Sequence, residues 1–268
     1  MRTQVITIAN QKGGVGKTTT AINLASCLAV NGVRTLLIDL DPQANATSGA
    51  GLEKMAGESC YSALLGAEKL SEKIRPAKVD GLHLVPSEMD LCGADIEISR
   101  LNNHLHRLRL SLQPIIESGK YRVILIDCAP SLSVLTLNGL MAADKLIIPI
   151  QCEYYALEGI SMLKTIIDQI RDTGARPNLE IAGILMTMFD GRTKLSNQVL
   201  REVRHHFGDL VFETVIPRTT RLAEAPSFGQ AIIHYDPYSA GAAAYEVLTE
   251  EVMDRLDLRD PPSAQMAS

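Results

Sequence analysis

With 268 residues, 46% of them hydrophobic, the chain is long enough to bury a sizeable core as one large domain or two small ones. Its 26 Lys and Arg against 31 Asp and Glu give a formal net charge of −5, which excludes the bulk basicity of a general nucleic-acid binder and confines any such site to a local patch. The five cysteines (Cys27, Cys60, Cys92, Cys128 and Cys152) lie far apart with no CxxC pair, which argues against a disulfide framework or zinc knuckle and for free thiols in a reducing cytoplasm.

The opening MRTQVITIAN carries only a short apolar run and does not read as a signal peptide. No segment offers the roughly 20 apolar residues of a membrane-spanning helix, so a soluble, cytoplasmic protein is expected. Strands are expected over 4–9, 34–40, 82–87, 122–128, 145–150, 181–189 and 210–216. Several are apolar or β-branched at nearly every position, as buried parallel strands must be when helices cover both faces. Between them, helices are expected over 17–31, 95–118, 158–173, 195–207 and 238–256, with Gly32 as the cap that ends the first. Residues 45–80 read as an excursion of short helices, and 258–268 as a flexible, prolyl tail. The alternation predicts a single domain over 1–257, a three-layer α/β/α fold with a mostly parallel central sheet and right-handed crossovers. Ligands of such sheets sit at the carboxyl ends of the strands.

The first strand runs directly into Gln11-Lys12-Gly13-Gly14-Val15-Gly16-Lys17-Thr18-Thr19, and a helix follows. Strand, glycine loop and helix in that order make a phosphate site. The glycines let successive N–H groups face the phosphates, Lys17 adds a charge near the β and γ positions, and Thr18 offers a hydroxyl to Mg²⁺. Two other strands end in carboxylates: LLIDLDPQANAT (36–47) carries Asp39 and Asp41, and VILIDCAPSL (123–132) carries Asp127. Acids at strand ends beside a phosphate loop are where metal and water are organised. Asp39 has an equally simple structural reading, a strand-end carboxylate capping nearby backbone N–H groups.

Gln11 stands where the common GxxxxGK[ST] loop has its first glycine, and the loop fits KGGxGK[ST] instead. In this it resembles the deviant Walker A P-loop NTPases, the family that includes ParA, MinD and the nitrogenase iron protein. The resemblance implies that Lys12 reaches across a nucleotide-sandwiched homodimer to the partner's phosphates, that Asp127 holds Mg²⁺ through water, and that Asp41 positions the hydrolytic water. The segment VIPRTTRLAEAPSFGQAI (215–232) resembles the family's base-binding stretch. Pro217 and Arg218 are therefore candidates for adenine contact, with Met188 at the end of the preceding strand.

Across nearly the whole chain, DLDPQANATSG, IDCAPSLSVLTLNGL, PIQCEYYALEGI and TMFDGRTKLSNQV look like chromosomal ParA or Soj proteins. The end of the chain, EEVMDRLDLRDPPSAQMAS, is acidic and prolyl, unlike the basic amphipathic helix by which MinD-type proteins lie on membrane. Cys128 has no second cysteine a few residues on, so a bridging iron–sulfur cluster is not expected and a buried, inert thiol is.

Arg192, Lys194, Arg201, Arg204, Arg218 and Arg221 fall within one thirty-residue span. Core spacing of Leu195, Val199, Val203 and Phe207 leaves Arg201 and Arg204 outward, either as an ordinary solvated helix face or as a patch that neutralises phosphates without reading bases. The resemblance implies the latter: an ATPase cycling between ATP and ADP with Mg²⁺, a homodimer when ATP is bound, nonspecific double-stranded DNA as its track on the nucleoid, and a ParB-like centromere-binding partner that stimulates slow hydrolysis. The alternatives are a ParA-like positioning ATPase for another cargo and a MinD-like division regulator.

Overall fold

The computed structural model describes residues 2–153 and 156–259. Its strands are β1 (Gln4–Ile8), β2 (Thr35–Asp39), β3 (Arg75–Pro76), β4 (Leu82–Val85), β5 (Val123–Asp127), β6 (Lys145–Gln151), β7 (Glu180–Phe189) and β8 (Val211–Pro217). They form one eight-stranded sheet in the order β3-β4-β2-β5-β1-β6-β7-β8, parallel throughout except for β3, which pairs antiparallel with β4 at the edge. In the middle of the sheet β1 pairs with β5 from Gln4↔Val123 to Ile8↔Asp127 and with β6 on its other side. The connection from β1 thus leads one way and that from β5 the other, and a crevice opens at the carboxyl end of β1.

The helices are α1 (Lys17–Val30), α2 (Asn45–Gly49), α3 (Tyr61–Leu65), α4 (Ala94–Ser99), α5 (Arg107–Glu117), α6 (Val134–Ala142), α7 (Ala156–Asp172), α8 (Lys194–Phe207), α9 (Thr220–Glu224), α10 (Ile232–Tyr235) and α11 (Ala240–Arg255). All five residues of β2 and of β5 are buried, which the sheet demands because both of its faces are covered. Side chains alternating along a strand feed two separate cores. Leu36, Ile38, Ile124 and Ile126 pack with α3 to α8, whereas Leu37, Leu125, Ile8 and Ile147 pack with α1, α10 and α11. Each such Leu or Ile contributes about 1.5–3 kcal/mol by leaving water. Three layers and a mostly parallel sheet are what the sequence predicts.

Gly32 does close α1, with φ +80 and its N–H on the Ala29 carbonyl. The single helix expected over 95–118 is instead two, α4 and α5. Asn103 turns the chain between them at φ +57, and Asn138 of α6 takes over the capping of α5. Its side-chain oxygen accepts from Leu108 N (3.1 Å), and its amide donates to the His104 carbonyl (2.8 Å). A cap supplied from 30 residues away leaves no local signal. Leu195, expected in the core, is 47% exposed; Val199 and Val203 are buried, and the place of Leu195 in the first turn of α8 goes to Ser196, whose N–H bonds the Thr193 cap. Of the expected tail, Leu258 is buried and Arg259 pairs with Asp254 and Glu250, while 260–268 lie outside the described residues. No helix among the described residues is long and apolar enough to cross a membrane.

Candidate functional site

The glycine loop spans the crevice between β1 and α1. Asn10 anchors its entry: the side-chain amide donates to the Pro149 carbonyl of β6 (2.8 Å) and the side-chain oxygen accepts from Lys12 N (3.0 Å). Its exit is held by Thr187 of β7, which donates to the Val15 carbonyl at 2.8 Å. Gly16 then enters α1 at φ +87, where a Cβ would be strained in the left-handed region and would also lie against Thr187 at 3.7 Å. No side chain caps α1, and its first turn holds no acid, so its leading N–H groups face the crevice free to meet an anion.

Lys17 starts α1, is 94% buried, and donates to the Lys12 carbonyl at 3.0 Å. Burial lowers its pKa, opposed by the charges of Asp127, Cys128 and Asp41 around it. Asp127, at the end of β5, is fully buried, and neither carboxylate oxygen has a hydrogen-bond partner. Burial, then the charge of Asp39, push its carboxyl well above the ordinary range; nearby Thr18 and Lys17 act in the opposite direction without satisfying the two oxygens. A buried carboxylate left bare beside a threonine hydroxyl, a lysine and an open helix terminus fits a hydrated Mg²⁺ with phosphates. Among the described residues no cluster of three or more His, Cys, Asp or Glu could itself cage a metal. Magnesium takes few protein ligands and keeps its waters and phosphate oxygens.

The two acids after β2 differ. Asp39 is spent on structure: Oδ1 accepts from Asp41 N (3.1 Å), and Oδ2 from both Thr47 N and Thr47 Oγ1 (2.8 Å each). Burial lifts its pKa to about 6 despite those bonds. Asp41 engages Gln43 N through Oδ1 (2.9 Å), in a tight turn whose Ala44 sits at φ +51. It is close enough to Lys17 and Asp127 to act on both. Thr18 lies in the first turn of α1 on the same side.

Gly16 and Thr19 also border a cavity of about 220 Å³ whose lining includes Met188, Pro217 and Arg218, with Thr187, Leu222 and Tyr245 among the others. The sequence-derived candidates for base contact therefore line one cavity. Met188 stands at φ +51 where the register of β7 on β8 shifts, and Arg218 N bonds the Phe189 carbonyl at 3.0 Å. Tyr245 and Thr187 escape sequence reasoning. Tyr245 arrives from α11, its hydroxyl 3.2 Å from that of Thr20, 225 residues away in sequence.

Lys12 offers only its carbonyl to Lys17, and its side chain is engaged elsewhere. Its ammonium pairs with Glu153 at 2.6 Å, both side chains being about half exposed. Glu153 carried no sequence signal. The basic span is likewise not uniformly available: Arg192 is chelated by Asp190 (2.9 and 2.8 Å), Arg204 pairs with Glu213 (3.4 Å), and Arg221 pairs with Glu224 (3.1 Å) and Asp236 (3.2 Å). Arg192 draws the Asp190 carboxyl down to about 2. Lys194, Arg201 and Arg218 are exposed and have no acidic partner among the described residues. The five cysteines are free, four of them buried, and burial pushes the Cys128 thiol far up, as expected of an inert one.

A family model described as an AAA domain matches residues 3–181. The chain is 48% identical over 260 residues to the chromosome partitioning protein ParA of Myxococcus xanthus, covering 96% of this chain and 90% of that one. It is 51% identical over 251 residues to the chromosome-partitioning ATPase Soj of Thermus thermophilus, covering 94% and 96%. Among solved structures it is similar to the cobyrinic acid a,c-diamide synthase of Mycobacterium smegmatis with bound ADP and magnesium, at TM-score 0.82, 34% identity and coverage of 95% and 96%.

Proposed function

The chain belongs to the ParA/Soj family of chromosome-partitioning ATPases, and we propose that it binds MgATP, pairs with a second copy around the nucleotides, and holds nonspecific double-stranded DNA while paired. The observation that carries this reading is Asp127, fully buried with both oxygens bare, set beside Lys17 at the uncapped start of α1.

The adenine base enters the cavity of Met188, Pro217 and Arg218, and the phosphates lie along the N–H groups from Gly13 to Thr19. Thr18 and Asp127, with Asp41 alongside, would hold the metal, which would supply neutralisation of charge on the phosphate oxygens. Lys17 must leave the Lys12 carbonyl to meet the phosphates. That exchange suits a buried ammonium, which gains a full counter-charge in place of a carbonyl dipole. Asp41 orients a water for attack on the γ-phosphorus; the bond to the bridging oxygen breaks, and ADP and phosphate leave. Lys12 must likewise part from Glu153 to reach the partner's phosphates.

DNA binding follows from pairing. With three of the six candidate cations already matched by acids, one protomer offers about three phosphate contacts, too few for firm binding at physiological salt. Two protomers on one rigid body double that number and bind with the avidity of both. A ParB-like partner that speeds hydrolysis then dissolves the pair and frees the DNA, so the protein cycles on and off the nucleoid.

The test is DNA binding by purified protein with ATP, ADP or no nucleotide, at two salt concentrations. Binding that needs ATP, ignores sequence, and falls with log salt at a slope of roughly −5 supports the scheme. Equal binding without nucleotide refutes it. Asp41→Ala should keep ATP and DNA binding and lose phosphate release; normal turnover would remove Asp41 from its role.

A further inference from the structure

At the opposite end of the sheet from the crevice, a cavity of about 330 Å³ opens where the amino ends of β1 and β6 meet α5. Its wall holds three guanidinium groups, Arg2, Arg109 and Arg176. Arg2 and Arg176 share one carboxylate oxygen, Asp144 Oδ1, each at 3.1 Å, while Oδ2 is taken by Val5 N at 3.1 Å. Arg109 has no acidic partner among the described residues. The other acid of the wall, Glu117, is already engaged by the Gln113 amide at 2.9 Å. Arg176 is 91% buried; one of its terminal nitrogens serves Asp144 and the Ala143 carbonyl, but its Nε–H is buried with no partner.

Leaving a guanidinium N–H unsatisfied inside a protein is costly, and crowding like charges adds to it. Burial and then Arg109 lower the Arg176 pKa, opposed by the Asp144 carboxylate. Three guanidinium groups line a cavity with two carboxylates, Asp144 and Glu117, and among the described residues only Arg2 and Arg176 are paired, both with Asp144; the surplus matches an added oxyanion, which guanidinium groups take in paired, planar hydrogen bonds. The apolar side of the cavity, Val5, Ile116 and Ala142, excludes water from one flank.

We propose that this cavity is a binding site for a small oxyanion, borne on a phosphate ester or a carboxylate metabolite, with Arg109 and Arg176 as its principal donors. It stands apart from the nucleotide, separated by the length of β1, five residues or roughly 17 Å.

The test keeps the phosphate loop filled. Protein saturated with MgADP is titrated at low ionic strength with inorganic phosphate and, separately, with succinate, and the heat is recorded. Saturable binding at one site per chain is expected for at least one probe, the tighter probe telling a phosphate ester from a carboxylate. Arg109→Gln, an exposed change on α5 that leaves the fold intact, should weaken that binding at least tenfold; Arg100→Gln, at the exposed end of α4, should alter it less than twofold. Absence of saturable binding by both probes overturns the proposal. So does binding that survives Arg109→Gln, or that Arg100→Gln weakens equally.

Discussion

Replacing Asp127 by Asn should stabilise the nucleotide-free protein while removing the magnesium-dependent part of its nucleotide binding. Asp127 is 0% exposed, its two oxygens have no hydrogen-bond partner, and the carboxylate of Asp39 is its strongest unfavourable neighbour. A buried carboxylate without hydrogen bonds, its charge offset only in part by Lys17, costs several kcal/mol. Asn keeps the shape and removes the charge, but it brings an amide that needs a partner and deprives Lys17 of its first-ranking counter-charge. The balance is a gain on the order of 1–2 kcal/mol. In a domain of this size that raises the melting temperature by roughly 2–8 °C. Thermal unfolding is followed at neutral pH without nucleotide, with ATP and Mg²⁺, and with ATP and a chelator. The natural protein should melt higher with Mg²⁺ than with chelator; the Asn variant should start higher and show no such difference. A variant that melts at or below the natural protein without nucleotide, or that keeps the magnesium effect, refutes the assignment.

Asp39 makes stability depend on pH in a fixed direction. Its carboxyl, raised from 3.8 to about 6, favours the folded state fully below pH ~4 and loses that contribution, ~3 kcal/mol, as pH rises through 6. Denaturant unfolding between pH 4 and 7 should show the decline; a rise over that window contradicts it. Thr187→Val should cost about 1–3 kcal/mol by orphaning the Val15 carbonyl, and should weaken ATP binding measured by fluorescence titration. Lys12→Ala should abolish ATP-dependent dimers in light scattering, while Glu153→Gln should promote them at lower ATP by releasing Lys12; unchanged dimers in both would sink the exchange. Arg201→Glu should weaken DNA binding and reduce its salt slope by about two per dimer, where Arg192→Glu, already matched by Asp190, should do less.

The parallel strands were legible because burial on both faces leaves a contiguous apolar run, and β2 and β5 coincide with theirs almost to the residue. Lys17, Thr18, Asp41 and Asp127 could be proposed from sequence because the glycine loop leads from β1 into α1 and the two acids fall at or just after the ends of β5 and β2. Edge strand β3, two residues long and containing Pro76, has no such run to display. The break between α4 and α5 went unseen because the cap that permits it belongs to Asn138, on another helix.

By itself, then, the amino-acid order determined the layered architecture, the glycine loop between β1 and α1 and the positions of the acids at the ends of β2 and β5, since these follow from hydrophobic period and from residues adjacent in the chain. Only the tertiary structure decided which charges are free. It gave Glu153 to Lys12, Asp190 to Arg192 and Glu213 to Arg204, left Asp127 bare, and gathered Arg2, Arg109 and Arg176 in one cavity. The physical reason is range: backbone pattern is set by neighbours a few residues apart, whereas the state of a charge depends on whatever the fold brings within a few ångströms of it.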